Sequence, residues 1–255
     1  MTKNTDYKRL FGLIGYPLSH SLSQNFFNQK FETEKIDAKY VNFEISRIEQ
    51  LAEILVSYPN LCGFNVTIPY KEKIFDFLDA VDPQAKAIGA VNVVKIYRQP
   101  DGSTSLKGYN SDCAGFSDSI RPMLNPEIHD KALVLGSGGA AKAVVHALTT
   151  LGVKPTVVSR TEKPGCLTYP MLTPEIVAEH KVIVNTTPLG MYPHVDECPP
   201  IPYCGITSEH ICYDLLYNPD VTLFMKRCSE HGASVKNGLE MLLLQAFISW
   251  NIWNK

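Results

Sequence analysis

The sequence lacks both an excess of charge of either sign and any long run of apolar residues. Its 24 lysines and arginines are balanced by 26 aspartates and glutamates, for a net charge of −2, so no basic surface favours nucleic acid or an anionic membrane. No apolar stretch reaches the ~20 residues that cross a bilayer, and the first ten residues show no signal peptide. We therefore expect a cytoplasmic protein that binds neither nucleic acid nor a membrane.

Paired-cysteine motifs are absent too, because the seven cysteines are an odd number and form no CxxC. Free thiols in a reducing compartment are the simplest interpretation. One group has the ligand chemistry for zinc, namely His194, Cys198, Cys204, His210 and Cys212. Its spacing matches no standard zinc pattern, so we expect no metal site.

The first part of the chain alternates strand and helix patterns. Of its 255 residues, 45% are apolar, which is enough for a sizeable core. The alternation predicts an α/β domain with a mostly parallel sheet. We predict strands at 10–15, 38–45 and 61–68, helices at 19–35, 47–58 and 70–79, and a hairpin from 90–98 and 103–110.

A second α/β pattern begins near residue 131. Residues 131–160 indicate a strand, a glycine-rich turn, a helix and a strand. Further strands are predicted within 180–191 and 210–217, and a strongly apolar helix closes the chain at 238–253. Residues 113–124 are the predicted connector between the two patterns.

The segment "LVLGSGGAA" places Gly136, Gly138 and Ala141 in a G-x-G-x-x-A pattern. It follows a predicted strand and opens a predicted helix, as in dinucleotide-binding turns. A P-loop is excluded, because Lys142 follows Ala141 instead of a glycine and is itself followed by Ala143 instead of Ser or Thr. The alternative is an ordinary strand–turn–helix unit whose glycines serve only the backbone turn.

The end of the next strand, "VVSRTEK", indicates which cofactor this turn binds. NAD enzymes usually carry a carboxylate there for the ribose 2′-hydroxyl, whereas this chain has Ser159, Arg160 and Thr161. The arginine suits a 2′-phosphate, since it is permanently charged and bidentate, and Lys163 adds charge nearby. The pattern favours NADP over NAD, with a solvated surface arginine as the alternative.

Polar residues follow several strands of the first pattern, and parallel α/β sheets bind ligands beyond the carboxyl ends of their strands. Lys71 and Asp112 suit proton transfer to a carbonyl oxygen. Pro69 ends a strand just before Lys71, which the pattern places at the start of helix 70–79, near the positive end of its dipole. Simpler roles stay open: a helix cap for Ser21 or Asp112 and strand filling for Thr67. The set comprises Ser21, Ser23, Asn65, Thr67, Lys71, Asn92, Asn110 and Asp112.

These motifs resemble one family, the shikimate dehydrogenases. The matching blocks occur in the family's order over almost the whole chain: "GLIGYPLSHSLS", "GFNVTIPYK", "GAVNVV", "GYNSDCAGF", "VLGSGGAAKAV", "VVSRT", "NTTPLGM", "YDLLYNP" and "NGLEMLLLQA". The resemblance implies NADPH-dependent, reversible reduction of 3-dehydroshikimate to shikimate in aromatic amino-acid (chorismate) biosynthesis. It also implies a substrate-binding α/β domain at 1–112, completed by a C-terminal helix at 238–255, and a Rossmann domain at 113–237.

The resemblance implies a role for each matching residue. Lys71 and Asp112 match the family's catalytic pair. The implied substrate ligands are Ser21, Ser23, Thr67, Asn92, Tyr217 and Gln245. The implied cofactor ligands are Gly136, Gly138, Gly139, Ala140, Ser159, Arg160, Thr161, Thr186, Leu215, Gly238 and Met241. A small-molecule substrate, NADP, no metal, and a monomer or homodimer are the corresponding expectations.

Two departures from the family bear on the cofactor. Ser159 replaces a usual asparagine, and after Arg160 the chain is shorter than usual, with Pro164 and Gly165 in place of a helical stretch. We therefore expect a more open adenosine end. An NAD-using quinate/shikimate or aminoshikimate dehydrogenase is the alternative within the class. A non-catalytic nucleotide sensor is the alternative outside it, and such a sensor is expected to have lost Lys71 and Asp112.

Overall fold

The computed structural model describes residues 7–18 and 21–255 and divides the chain into two compact units. Unit 1 comprises Met1–Ser111 with Ala246–Lys255, and unit 2 comprises Asp112–Gln245. The predicted domains differ from these units by one residue at the first boundary and by eight at the second. The division therefore assigns Asp112 and Gln245 to unit 2, whereas both were predicted in the first domain.

Unit 1 is built on a six-stranded mixed sheet with the order β2-β1-β3-β5-β6-β4. Three neighbouring pairs are parallel, whereas β5 runs antiparallel to both β3 and β6. The strands are β1 Arg9–Gly15, β2 Ala38–Glu44, β3 Leu61–Val66, β4 Ala80–Val81, β5 Val93–Arg98 and β6 Thr104–Tyr109. The helices are α1 Ser23–Thr33, α2 Leu51–Ser57 and α3 Pro83–Ile88, with short 3-10 helices at Ile48–Gln50 and Lys73–Phe77.

Aromatic residues hold the end of the chain against this sheet. The rings of Phe11 and Trp253 stack with centroids 4.8 Å apart, and the Trp253 indole N–H donates to the Val94 carbonyl at 3.0 Å. A Cβ atom on Gly63 would lie 2.4 Å from the Trp253 ring. Glycine is therefore required at Gly63 for this close approach.

Unit 2 is built on a fully parallel six-stranded sheet with the order β12-β11-β10-β7-β8-β9. The order reverses at β7 and β10, which is the doubly wound arrangement of dinucleotide-binding folds. The strands are β7 Lys131–Leu135, β8 Lys154–Ser159, β9 Leu167–Thr168, β10 Val182–Asn185, β11 Ile211–Asp214 and β12 Ser234–Lys236. The helices are α4 Asp112–Ile120, α5 Gly139–Thr150, α6 Pro174–Glu179, α7 Leu223–Glu230 and the first part of α8 Leu239–Asn254, with 3-10 helices at Arg121–Met123, Tyr169–Met171 and Tyr203–Gly205. The residues of α8 from Ala246 onwards belong to unit 1. The predicted α/β class with a Rossmann second sheet is confirmed.

The predicted helix at 70–79 is wrong, since only the 3-10 helix Lys73–Phe77 forms there. The backbone groups ahead of it are used elsewhere: the Lys71 carbonyl accepts from the Val91 N–H at 2.8 Å, and the Tyr70 N–H donates to the Thr67 carbonyl at 2.9 Å. Lys71 therefore lies in a turn and not at the start of a helix, so it does not face the positive end of a helix dipole. The first predicted helix begins at Ser23 instead of Ser19, which lies outside the described residues together with His20.

Candidate active site

Main-chain hydrogen bonds gather the predicted substrate residues of unit 1 at one edge of its sheet. The Thr67 N–H donates to the Ile14 carbonyl at 2.9 Å, so the segment after β3 lies beside the end of β1. The Val66 N–H donates to the Asn92 carbonyl at 2.9 Å, and the Asn92 N–H to the Tyr109 carbonyl at 3.1 Å. The ends of β1, β3 and β6 and the start of β5 therefore meet at this edge, where ligands bind in such sheets.

Lys71 belongs to this edge through its turn. The Lys71 carbonyl accepts from the N–H of Val91, which is the residue before Asn92. Lys71 itself is half-buried. After β1, the Ser23 N–H donates to the Ser21 hydroxyl oxygen at 3.3 Å, and both serines are half-buried. The bond supports a local turn role for Ser21 beside its predicted role as a ligand.

A buried polar network runs beneath the edge, and Asn65 is its centre. The Tyr40 hydroxyl donates to Asn65 Oδ1 at 2.8 Å, while Asn65 Nδ2 donates to the Ser249 hydroxyl at 2.9 Å and to the Asn92 carbonyl at 3.2 Å. Asn65 is only 6% exposed. Its side chain therefore supports the loop that carries Asn92, a role that the sequence did not indicate.

Ser111 continues the network to the side chain of Asn92. Asn92 Oδ1 accepts from the Ser111 N–H at 2.7 Å, and Asn92 Nδ2 donates to the Ser111 hydroxyl at 2.9 Å. The Ser111 and Ser249 hydroxyls lie 3.2 Å apart. Both serines are fully buried, so neither hydroxyl faces solvent, and Ser111 fixes the orientation of the Asn92 amide.

Asp112 is the first residue of α4 and is buried. A carboxylate in the first turn of a helix is favourable. Burial, with the Asp112 charge beside it, raises the pKa of the Cys113 thiol to about 11, so this thiol is not a ready nucleophile. The predicted catalytic residues Lys71 and Asp112 thus belong to different units.

Gly115 brings α4 against the first half of α8, which carries two predicted site residues. A Cβ atom there would lie 3.1 Å from both Gln245 Cβ and the Met241 carbonyl oxygen. Gln245 Nε2 also donates to the Leu242 carbonyl at 2.9 Å. Tyr217, three residues past β11, is half-buried, and like Gln245 it lies in unit 2.

The glycine turn of unit 2 lies between two other predicted cofactor segments. Gly136 has φ +113°, and a Cβ atom on it would lie 2.5 Å from Thr186 Oγ1. The Thr186 hydroxyl and N–H both donate to the Leu135 carbonyl, at 2.7 and 2.9 Å. On the other side, the Gly136 N–H donates to the Val158 carbonyl at 2.8 Å, next to Ser159.

Leu215 and Gly238 extend this row of adjacent segments, which lie side by side at the carboxyl ends of the unit 2 strands. The Leu215 N–H donates to the Asn185 carbonyl at 2.9 Å, and a Cβ atom on Gly238 would lie 2.0 Å from the Leu215 carbonyl oxygen. The segments after β12, β11, β10, β7 and β8 therefore follow one another along the edge. At ~4.8 Å per strand they span about 19 Å, which suits an elongated ligand such as a dinucleotide.

The start of α5 fits a pyrophosphate. Gly138 is its N-cap residue, no described side chain caps the helix, and its first turn holds no acidic residue. Nothing lies within 4 Å of a Cβ atom placed on Gly138. The first-turn N–H groups, including those of Gly139 and Ala140, are thus available to phosphate oxygens at the positive end of the helix.

The end of the sheet edge at which the adenosine is predicted is bounded by β9. Ser159 is buried, and its hydroxyl accepts from the Thr161 N–H at 3.3 Å, whereas Arg160 is exposed. After Arg160 the chain returns to the sheet, where β9 pairs with the end of β8, Thr168 opposite Ser159. The stretch after Arg160, which was expected to be shorter than usual and without the family's helical segment, therefore contains a short strand.

Asp214 is a buried carboxylate that sequence reasoning missed. It accepts from the Thr222 hydroxyl at 2.7 Å, from the Leu216 N–H at 3.0 Å and from Asn185 Nδ2 at 3.1 Å. Asn185 Oδ1 in turn accepts from the N–H and the hydroxyl of Thr187. Burial raises the pKa of Asp214 to about 6. Asp214 and Asn185 thus tie together the loops that carry Leu215 and Thr186.

The cysteine and histidine residues around 194–212 differ in burial, since Cys212 and His210 are buried whereas Cys204 is exposed. Within 7–18 and 21–255, no group of three or more His, Cys, Asp or Glu is placed to hold an ion. The His210 ring is hydrogen-bonded to the Thr207 N–H and to the Val177 carbonyl, both at 3.0 Å.

Among residues 7–18 and 21–255, no helix is long and apolar enough to cross a bilayer.

The sequence of this chain is similar to those of known proteins over most of its length. The family described as the shikimate dehydrogenase substrate binding domain matches residues 13–94. The shikimate dehydrogenase (NADP(+)) of Carboxydothermus hydrogenoformans is 38% identical over 96% of this chain and 91% of its own. This chain belongs to the shikimate dehydrogenase family.

Solved shikimate dehydrogenases share the fold over nearly the whole chain. That of Aquifex aeolicus is 36% identical and covers 97% of this chain and 92% of its own, with a TM-score of 0.83. That of Listeria monocytogenes, solved in complex with shikimate and NAD, is 28% identical and covers 97% and 92%, with a TM-score of 0.79. The family thus includes members named for NADP and a member crystallised with NAD.

Proposed function

We propose that this protein is an NADP-dependent shikimate dehydrogenase, an oxidoreductase acting on a CH–OH group. It catalyses the reversible reduction of 3-dehydroshikimate to shikimate in chorismate and aromatic amino-acid biosynthesis. The observation that carries the proposal is the 38% identity to an enzyme of this name, over 96% of this chain and 91% of that enzyme. The two sheet edges supply its chemistry, since one gathers hydroxyls, amides and a lysine and the other offers a phosphate-binding helix start.

The edge of unit 1 is proposed to hold the substrate. Ser21 and Ser23 donate to the carboxylate, while Thr67 and Asn92 bind ring hydroxyls or the carbonyl. The buried bonds from Ser111 to the Asn92 amide keep this amide in one orientation, which reduces the entropy lost when a ligand binds. Tyr217 and Gln245 are the remaining proposed substrate ligands.

Lys71 and Asp112 are proposed to carry the proton chemistry. When bound, NADPH supplies the hydride that reduces the ketone carbon. Lys71 then gives a proton to the forming alkoxide, alone or together with Asp112, and its positive charge stabilises the oxyanion before the transfer. Asp112 orients the substrate hydroxyl next to the reacting carbon.

The edge of unit 2 is proposed to hold the cofactor. Gly136, Gly138, Gly139 and Ala140 receive the pyrophosphate, and Thr186, Leu215, Gly238 and Met241 lie on the nicotinamide side. Ser159, Arg160 and Thr161 receive the adenosine ribose with its 2′-phosphate. We further propose a cytoplasmic monomer or homodimer, since all seven cysteines are free thiols, as is usual in a reducing compartment.

An NAD-using enzyme of the same class is the second candidate. Two observations favour it: the Listeria monocytogenes enzyme was solved with shikimate and NAD, and Ser159 stands where the family usually has asparagine. Against it, the tip of β8 carries no carboxylate for a ribose 2′-hydroxyl, and Arg160 is exposed beside it.

Steady-state oxidation of shikimate and of quinate, each with NADP and with NAD, separates the candidates. The absorbance of the reduced nicotinamide gives kcat/KM for the four combinations. We expect the highest value for shikimate with NADP. Comparable values with NAD would support the second candidate, and the absence of turnover in all four would reject both.

A further inference from the structure

The segment between β1 and α1 is bonded to the end of β2, an edge strand of the unit 1 sheet. The Leu18 N–H donates to the Glu44 carboxylate at 2.8 Å. Leu18 is buried, whereas Glu44 is exposed and lies opposite Gly15 of β1. A Cβ atom on Gly15 would lie 2.8 Å from Leu18 Cδ2 and 2.4 Å from Thr67 Cγ2. The segment is therefore held at the edge that carries Thr67, one of the proposed substrate ligands.

The bond to Glu44 continues through hydrogen bonds to the two proposed carboxylate ligands. The Ser21 N–H donates to the Leu18 carbonyl at 3.1 Å, and the Ser23 N–H donates to the Ser21 hydroxyl oxygen at 3.3 Å. Accepting this bond leaves the Ser21 O–H as a donor, which is what a carboxylate requires of its ligand. The position of both serines thus depends on where Glu44 holds Leu18.

On the other side of the serines, side chains of α1 bond the main chain of β2. Gln24 Oε1 accepts from the Asn42 N–H at 3.0 Å. The Asn28 amide exchanges two hydrogen bonds with the main chain of Tyr40, both at 2.9 Å. The N-cap residue of α1 is Leu22, whose apolar side chain makes a poor cap. The start of α1 is therefore fixed by these bonds to β2 more than by its own sequence.

We propose that Glu44 and Gln24 are positioning residues for substrate binding, which hold Ser21 and Ser23 where both hydroxyls donate to the carboxylate of shikimate. The inference rests on the proposed function in taking this carboxylate as the ligand of the two serines. Bonds on both sides of the serines restrict the motion of their segment, which lowers the entropy lost when a ligand binds. Glu44 and Gln24 act through the serines and take no part in the proton chemistry.

The test is calorimetric titration of variants with shikimate and with its methyl ester, which has no carboxylate charge. Glu44→Ala should bind shikimate about tenfold more weakly, as for the loss of one hydrogen bond to a charged group, and Gln24→Ala about threefold more weakly. Binding of the methyl ester should change by less than about twofold, since a neutral ester gains less from the serine donors than a carboxylate does.

Conservative and control variants separate positioning from a general loss of structure. Glu44→Gln keeps an oxygen that can accept from the Leu18 N–H, so it should retain most of the affinity. Glu32→Ala and Gln29→Ala remove exposed side chains of the same two types from α1 and should leave both affinities unchanged. In shikimate oxidation, Glu44→Ala should raise the KM for shikimate while kcat and the KM for NADP stay within about twofold.

A combined variant tests whether Glu44 acts through the serines. In a protein that already carries Ser21→Ala and Ser23→Ala, adding Glu44→Ala should lower kcat/KM for shikimate by less than about twofold, because residues that act as one unit are not additive. A further tenfold loss would give Glu44 a role apart from the serines and would overturn the proposal.

Two other outcomes would overturn the inference and leave the proposed function intact. One is unchanged shikimate binding in both Glu44→Ala and Gln24→Ala. The other is equal weakening of shikimate and its methyl ester, which would indicate a structural role without relation to the carboxylate. A wild-type protein that neither binds nor oxidises shikimate would reject the proposed function and the inference together.

Discussion

The two sheet edges differ in how they present their ligand-binding groups. The edge of unit 1 depends on side chains that a buried network orients, with Asn65 bonded to Tyr40, Ser249 and the loop of Asn92. The edge of unit 2 depends on main-chain groups and on glycines, because a Cβ atom on Gly136 or Gly238 would collide with a neighbouring segment. Unit 1 should therefore be sensitive to the removal of atoms and unit 2 to their addition.

Removing the Lys71 side chain should have the largest effect. A positioned proton donor typically contributes ~10²–10⁴-fold, so Lys71→Ala should lower kcat by that factor while the KM for shikimate changes much less. Lys73→Ala is the matched control, because Lys73 is exposed two residues further on. Steady-state kinetics check both variants, and a kcat near that of the wild type in Lys71→Ala would remove Lys71 from the mechanism.

Removing the Asn65 amide tests the buried network. Asn65→Ala leaves the Tyr40 hydroxyl and the Ser249 hydroxyl without this partner in the core, and breaking such a network costs about 3 kcal/mol. Urea denaturation should show this loss, together with weaker shikimate binding through the Asn92 loop. Asn25→Ala, on the exposed face of α1, should change the free energy of unfolding by less than about 0.5 kcal/mol. Equal losses would show that the network has no special role.

The sequence predicted unit 2 better than unit 1, because the signals of unit 2 are local. The glycine turn, the apolar strand before it and the helix after it are adjacent in the chain, and their spacing specifies the turn. By contrast, Asn65 and Ser249 are 184 residues apart, and no periodicity links an asparagine in a strand to a serine in the last helix. Asn65 was predicted as one of the polar residues that follow the strands, but its buried partners could not be predicted.

Short elements were the other source of error. Helix α3 has every local signal: the Asp82 side chain accepts from the Gln84 N–H, Pro83 begins the helix, and Gly89 ends it with φ +72°. Its six residues give too little periodicity to be detected. At 70–79 the apolar spacing did indicate a helix, but the Lys71 carbonyl bonds Val91 instead of the next turn, so a tertiary contact prevailed over the local pattern.

Adding a methyl group tests unit 2. Gly136→Ala places a Cβ atom 2.5 Å from Thr186 Oγ1 at a positive φ, which should cost about 2 kcal/mol of stability and raise the KM for NADP and NAD alike. Gly138→Ala meets nothing within 4 Å, so its stability should stay within about 0.5 kcal/mol while its cofactor KM rises. Thermal unfolding without cofactor separates the two, and equal destabilisation would contradict the contrast.

Asp214 gives the smallest predicted effect and the sharpest difference between the units, since the groups that bond the Asn65 side chain are neutral hydroxyls and a carbonyl. Burial raises the pKa of Asp214 to about 6, from an ordinary 3.8. The folded state therefore binds this proton more tightly than the unfolded state, so its stabilisation is complete below pH ~4 and is lost as the pH rises through 6. Between pH 5 and 8 it should remove about 1.5 kcal/mol. Asp214→Asn should lack this slope in urea denaturation, whereas Asn65→Ala should keep it, and an unchanged slope in Asp214→Asn would show that another group titrates.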